Sequence, residues 1–259
     1  MSAIEVWFLA LLLGCFAVSV IWCIQYRYGN AGIVDVAWPF IVGGMGLLYA
    51  LLGSAPGLPR ALLVLLCGLW ALRLGCYLGQ RNLGQHEDSR YAQLKEKWGQ
   101  QAQLKMWLFY LLQVVAAWLL SVSFLVIAFS QQTPAMIWCV LGLAIGLLGI
   151  LGEGLADHQL KSFLTDPDNR GKVCDVGLWA YSRHPNYFFE IVHWAGYGVL
   201  AVASSWWLFG WLGFVLITLL LLKFSGIPTL ENDSSSKREG WDEYVNRTNL
   251  IIPGPPRKN

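Results

Sequence analysis

Residues 106–129 read MWLFYLLQVVAAWLLSVSFLVIAF. The stretch contains no Asp, Glu, Lys, Arg or His, and it exceeds the ~20 apolar residues that carry a helix across a bilayer. It is read as a transmembrane span, Met106–Phe129. Six further runs qualify by the same reasoning: Val6–Ile24, Val34–Leu52, Leu62–Leu78, Met136–Leu155, Tyr187–Ser204 and Trp206–Leu222. The N-terminal run is too long for a cleavable signal and lacks a basic start, so it counts as the first span. Composition agrees. Of 259 residues 56% are hydrophobic and 13% charged, against about a quarter charged in soluble domains. The 14 Trp, 10 Tyr and 12 Phe suit membrane–water interfaces, where amphipathic rings settle. The expected fold class is all-α, a polytopic membrane protein of seven transmembrane helices. We expect one membrane domain over residues 1–259. Residues 1–104 would hold three helices and an acidic loop, and residues 105–259 four helices, a cofactor-binding half and the tail.

Orientation follows from the loop cations. Of 18 Lys and Arg, only Arg60 lies between spans two and three. None lies between spans four and five or six and seven. The others sit at the opposite side: Arg27, Arg73 to Lys105, Lys161 to Arg183 and Lys223 to Lys258. This bias predicts an N-terminus outside and a C-terminus in the cytosol. A net charge of +2 gives no field that would attract nucleic acid. No GxGxxG follows a strand, and no P-loop is present. Cys15, Cys23, Cys67, Cys76, Cys139 and Cys174 lack metal-site spacing and read as reduced core residues. No metal site is expected. Gly142 and Gly146 form a small-xxx-small face that permits close helix approach.

Ionisable groups within spans are costly, and by default they mark function. Here they are Asp35, Arg73, Glu153, Glu190 and His193, with Asp157 just beyond span five. All fall toward the cytosolic ends of their helices, which predicts a polar pocket opening to the cytosol. Pro185 suits the first turn of a helix. Asn186, Glu190, His193 and Tyr197 then recur on one helical face. Arg183 and His184 precede that helix, where an anion is favoured. The arrangement suits the phosphate, ribose or amide groups of an anionic cofactor. Asp35-Val36-Ala37-Trp38-Pro39 opens span two. Its carboxyl reads either as a helix cap or as an acid in a low-dielectric site. Trp70, Arg73 and Tyr77 run down one face of span three. The tail, from Gly226 to Pro253, reads as containing a short amphipathic helix that lies at the membrane surface or caps the pocket.

Three stretches carry a resemblance: Gln85 to Tyr91 with its Glu87-Asp88-Ser89-Arg90-Tyr91 core, Ser182-Arg183-His184-Pro185-Asn186-Tyr187, and the tail from Gly226-Ile227-Pro228 through Leu230-Glu231, Tyr244 and Thr248 to Ile252-Pro253. In this order, over roughly residues 30–256, the chain resembles the steroid 5-alpha-reductase family, in particular its bacterial branch. The Arg-His-Pro-x-Tyr element is shared with isoprenylcysteine carboxyl methyltransferases and sterol reductases. The acidic loop favours the reductases.

The resemblance implies seven helices holding NADPH in the cytosolic half. In animal members a Gln-Glu pair on the second span and a Tyr on the third address the 3-keto oxygen. The Gln-Glu pair is not reproduced here; the nearest matches are Asp35 and Trp70 or Tyr77. The expected catalytic residues are Asp35, Tyr77 and Glu190, and the expected substrate contacts are Trp38, Trp70, Arg73 and His193. The cofactor set is Arg81, Asn82, Glu87, Asp88, Arg90, Tyr91, Asp157, Lys172, Tyr181, Arg183, His184, Asn186, Tyr187 and Tyr244. The implied reaction is NADPH-dependent reduction of a carbon–carbon double bond conjugated to a ketone in a steroid or similar lipid. An S-adenosylmethionine-dependent membrane methyltransferase is the alternative, and a non-catalytic lipid carrier a third class. The expected partners are the bilayer, in a bacterial cytoplasmic membrane, and an enone substrate. No obligate protein partner is evident.

Overall fold

The computed structural model describes residues 1–82, 87–224, 226–227, 231 and 238–257. Helix dominates, and the described residues contain no strand beyond an isolated bridge between Lys172 and Glu239. The first helices are α1 (Ala3–Tyr28), α2 (Ile33–Leu52), α3 (Gly57–Asn82) and the short α4 (Ser89–Trp98). Then come α5 (Ala102–Leu120), α6 (Val122–Ala128), α7 (Met136–Thr165), α8 (Pro185–Leu200), α9 (Trp207–Gly210), α10 (Leu212–Leu219) and α11 (Trp241–Arg247). Among the described residues, 6 helical segments are long and apolar enough to cross a membrane. They include Ser89–Ala128, which contains all but the last residue of the charge-free stretch, and Trp207–Phe224. The chain is thus a multi-pass integral membrane protein. Its outward faces carry leucine and phenylalanine, as at Leu12, Phe16, Leu51, Leu72 and Leu151, where lipid is the solvent.

Three expectations shift. The run read as Tyr187–Ser204 forms α8, which has 16 residues and falls short of the ~20 that span a bilayer upright. It stops at Leu200 because the next residues fold into consecutive tight turns. Ser204 N bonds Ala201 O at 2.9 Å, and Trp206 N bonds Ser204 Oγ at 3.2 Å. α7, expected to end at Leu155, runs on to Thr165. Hydropathy marks where apolar residues stop, whereas the helix itself stops before the Asp166-Pro167 turn. Of the cysteines, Cys67, Cys139 and Cys174 are buried, but Cys23 and Cys76 are exposed on helices whose outer faces meet lipid.

The chain forms two compact units, Met1–Cys139 with Tyr197–Gly213, and Val140–Gly196 with Phe214–Asn259. In the first, α2 packs on α3 and α1 on α5. An indole N–H buried in a span must find an acceptor, and two do so reciprocally. Trp7 Nε1 donates to Trp118 O at 3.2 Å, Trp118 Nε1 to Trp7 O at 2.8 Å, and the rings stack 3.8 Å apart. In the second unit α7 and α8 meet backbone to backbone. A Cβ on Gly196 would lie 2.8 Å from Gly142 O, and one on Gly149 would lie 2.5 Å from His193 Cα. This is the close approach that the small-residue face predicts. Backbone atoms cannot give way to a side chain. Gly149→Val should therefore cost about 1–3 kcal/mol and lower the melting temperature of the detergent-solubilised protein. Unchanged melting would refute the contact.

Candidate functional site

In the first unit, the start of α2 is tied to the start of α4. Gly32 is the N-cap residue of α2 and makes no side-chain cap bond. Asp35 stands in the first turn, where a carboxylate also meets the favourable end of the helix dipole. Its Oδ1 accepts from the Tyr91 hydroxyl at 2.6 Å, and its Oδ2 from Arg90 Nη2 at 3.3 Å. Donors on both oxygens suit the ionised form. The same guanidinium holds Asp88, through Nε at 3.0 Å and Nη2 at 2.8 Å. Asp88 Oδ1 also caps α4 by accepting Arg90 N at 2.9 Å. The hydrogen bond from Arg90 holds the Asp88 carboxyl below its usual range. Asp35 is thus not the cap of α2, whose N-cap is Gly32; it is an acceptor in a network with Asp88, the cap of α4.

Glu87 extends the network. Its Oε1 accepts from Ala31 N at 2.7 Å and from Lys95 Nζ at 2.6 Å. Lys95 Nζ also donates to Gly29 O at 2.7 Å. Arg81 Nε donates to Asn82 Oδ1 at 3.1 Å, and Arg81 is exposed. Deeper in the unit, Trp38 and Trp70 stand edge to face at 6.1 Å. Trp38 Nε1 donates to Gln113 O at 3.2 Å, and Trp70 is fully buried. Arg73 and Tyr77 are half-buried on α3 with Trp70. Gln85 and His86 lie outside the described residues.

In the second unit a polar seam runs between α7 and α8. Asp157 on α7 accepts from Asn186 Nδ2 at 3.2 Å. Glu190 Oε1 accepts from Trp194 Nε1 one turn away at 2.9 Å. His193 Nδ1 meets Gly146 O at 3.0 Å, which ties the two helices at their closest approach. Glu153, Asp157 and Glu190 are all buried, and His193 is completely so. α8 begins at Pro185 as expected. Just before it, the turn Gly177–Ala180 is pinned to α7 by Trp179 Nε1 on Ala156 O at 2.9 Å and Leu178 N on Gln159 Oε1 at 2.9 Å.

The tail folds back on this segment. The Tyr244 hydroxyl donates to Trp179 O at 2.7 Å, and burial pushes its titration up. Ser182 Oγ donates to Ile251 O at 2.8 Å, and Arg183 N to Asn249 O at 2.8 Å. Glu231 Oε1 receives Arg183 Nη1 at 2.8 Å and His184 Nε2 at 3.1 Å. His184 stacks on Tyr187, with ring centroids 5.6 Å apart. A cleft of about 340 Å³ is lined by Lys172, Asp175, Glu239, Glu243, Tyr244 and Arg247, and Arg247 pairs with Asp175 across it. Lys172 and Tyr244 thus share one cleft. Tyr181 is 48% exposed, and its carbonyl accepts from Gly254 N at 3.1 Å.

The structure therefore gathers Asp35, Asp88, Arg90 and Tyr91 in one network, with Glu87 held beside it by Lys95 and Ala31 N, and Asp157, Arg183, His184, Asn186 and Tyr187 along one seam. Glu231 and Lys95 hold groups of these two sets, Trp194 holds Glu190, and all three went unassigned in the sequence. Trp194 was readable, four residues after Glu190 on one helical face. Lys95 and Glu231 reach partners through chain reversals that no spacing rule encodes. Pro228, Thr229 and Leu230 of the tail motif lie outside the described residues.

A family model named DUF1295, described as a protein of unknown function, matches residues 21–248. The chain belongs to this family. It is similar to 3-oxo-5-alpha-steroid 4-dehydrogenase 1 of Bos taurus, with 33% identity over 112 residues, 43% of this chain and 40% of the bovine protein. The protein of the same name from Rattus norvegicus is 28% identical over 112 residues, again 43% of this chain and 40% of the relative. The DUF1295 chain thus matches these curated relatives over less than half their length. No solved structure matches it. The resemblance carried by the Ser182–Tyr187 run and the acidic loop is borne out by these similarities.

His184 offers a test of the DUF1295 seam. Burial holds its imidazole below the ordinary histidine range, and the hydrogen bond to Glu231 opposes that shift. A group whose folded value is depressed binds fewer protons folded than unfolded. Its contribution is present above the unfolded value, near 6.5, and is lost as pH falls toward the folded one. The wild type should lose melting temperature between about pH 7 and pH 5.5, and His184→Asn should lose less over the same range. Equal losses would contradict the buried neutral imidazole.

Proposed function

We propose that this protein is an NADPH-dependent oxidoreductase of the bacterial cytoplasmic membrane, N-terminus outside and C-terminus cytosolic. It would reduce a carbon–carbon double bond conjugated to a ketone in a steroid-like lipid. One observation carries the reading: buried Asp157 and Glu190, with half-buried Asn186 between them, line a helix seam in a chain similar to two 3-oxo-5-alpha-steroid 4-dehydrogenases. Ionisable groups at such depth are expensive and rarely idle.

The residues fit the cofactor. Arg183 Nε is buried with no hydrogen-bond acceptor among the described residues, a donor suited to a phosphate. Asp157 accepts and Asn186 both donates and accepts, which matches ribose hydroxyls and a carboxamide. Lys172 and Tyr244 line a cleft at the same segment. When bound, NADPH supplies the hydride that the β-carbon of an enone takes up. Arg183, Asn186, Asp157 and Glu190 would hold and orient it. Trp38 and Arg73 would face the flat substrate, with fully buried Trp70 backing Trp38 edge to face.

Negative charge developing on the substrate's carbonyl oxygen calls for a preorganised donor. Asp35 accepts from Tyr91 and Arg90, so it serves by holding Tyr91 in place, and the Tyr77 hydroxyl is the donor we assign. Full-length protein in lipid nanodiscs, given NADPH and progesterone, should yield a product heavier by two hydrogens. Tyr77→Phe should lower kcat by about 100-fold while leaving the NADPH concentration dependence in place. NADPH should raise the melting temperature and S-adenosylmethionine should not. Stabilisation by S-adenosylmethionine alone would establish the methyltransferase alternative, and stabilisation by neither the carrier.

A further inference from the structure

Glu231 arrives from the tail, 47 residues beyond His184, yet it meets the two side chains that precede α8. A single oxygen, Oε1, takes the Arg183 Nη1 hydrogen at 2.8 Å and pairs with His184 Nε2 at 3.1 Å. Both partners are well shielded: their side chains are 11% and 6% exposed, against 25% for Glu231. Each is fixed on its other sides as well. Arg183 N donates to Asn249 O, and His184 N to Ser182 Oγ at 3.2 Å. The His184 ring lies parallel to Tyr187 with 11° between the planes.

A guanidinium with one nitrogen held by a carboxylate keeps its remaining N–H groups in a fixed plane. Arg183 Nε is one of these, buried and without an acceptor among the described residues. A neutral imidazole whose Nε2 bears the proton donated to Glu231 presents Nδ1 as an acceptor. The carboxylate thus sets which atoms of both side chains remain for a ligand, and its charge offsets theirs in a poorly solvated place.

We infer that Glu231 is a positioning residue, which orients Arg183 toward the anionic part of the bound cofactor and turns His184 Nδ1 toward one of its hydroxyl or amide donors. The inference rests on the NADPH reading given above, and the test separates the two. The first readout needs no cofactor. In isotope-labelled full-length protein, the His184 imidazole is titrated by NMR, with His184→Asn used to assign its signal. The charged groups acting on it are Glu231 and Arg183. Glu231→Gln removes a neighbouring negative charge, so the His184 midpoint should fall. A Glu231 with only a remote structural part would leave the midpoint in place, and an unmoved midpoint overturns the inference.

The second readout is the split between KM and kcat. Glu231→Ala should raise the KM for NADPH about tenfold, the loss of one charge-assisted contact, and change kcat by less than about threefold. Glu231→Gln, which keeps an acceptor oxygen, should recover part of that loss. Should Glu231→Ala fail to fold, Glu231→Gln alone carries the comparison. Wild-type KM in a variant whose His184 midpoint has moved overturns the positioning role while confirming the pair. If wild-type protein does not use NADPH, the oxidoreductase reading fails and the positioning role fails with it. The His184 titration then still reports whether the Glu231 pair exists.

Discussion

Where α7 passes α8, Gly142 and Gly146 leave no side chain between the backbones, and a Cβ on Gly196 would stand 2.8 Å from Gly142 O. That proximity lets His193 reach the Gly146 carbonyl and Asn186 reach Asp157. In a bilayer the hydrophobic effect does not drive helices together, so close packing and cross-helix hydrogen bonds do. Once the seam is closed, Asp157 and Glu190 are held out of lipid with N–H donors on their oxygens. The site's chemistry thus depends on a contact made by residues that have no chemistry.

The tail completes the arrangement. Tyr244, Ile251 and Asn249 anchor the segment around Ser182 from the far end of the chain, and Glu231 fixes the orientation of the two side chains that open α8. The first unit follows a parallel logic. Arg90 binds Asp88 beside it and Asp35 from another helix, so the acidic loop is locked to the start of α2. In the second unit the Arg183–Glu231 pair fastens the tail to the turn before α8, so each unit uses the arginine–carboxylate geometry that arginine's planar fork favours.

Much of this was legible beforehand. The charge-free run 106–129 could be little other than a span, and the small-residue face of Gly142 and Gly146 foretold a close crossing. Pro185 foretold the start of α8. The shortness of α8 was hidden, because apolar residues continue past Leu200 while the backbone turns on Ser204. The role of Asp35 was hidden too. A carboxylate at a helix start reads equally as cap or acid, and only folding shows Tyr91, 56 residues away, as its partner. Glu231 stood in a recognised motif without a task, since its partners lie across a chain reversal. The family resemblance supplied what local rules could not, an expected cofactor, and the similarity to the two curated relatives extends over 43% of the chain.

The central claim is that the seam between α7 and α8 is built to bind a reduced nicotinamide dinucleotide. Calorimetric titration of NADPH into the full-length protein in nanodiscs tests it most directly, with Asn186→Ala alongside. The account predicts saturable binding to the wild type, weakened about tenfold or more, some 1.4 kcal/mol, in a variant that keeps its melting temperature. No heat from the wild type, or equal affinity in both proteins, would contradict it.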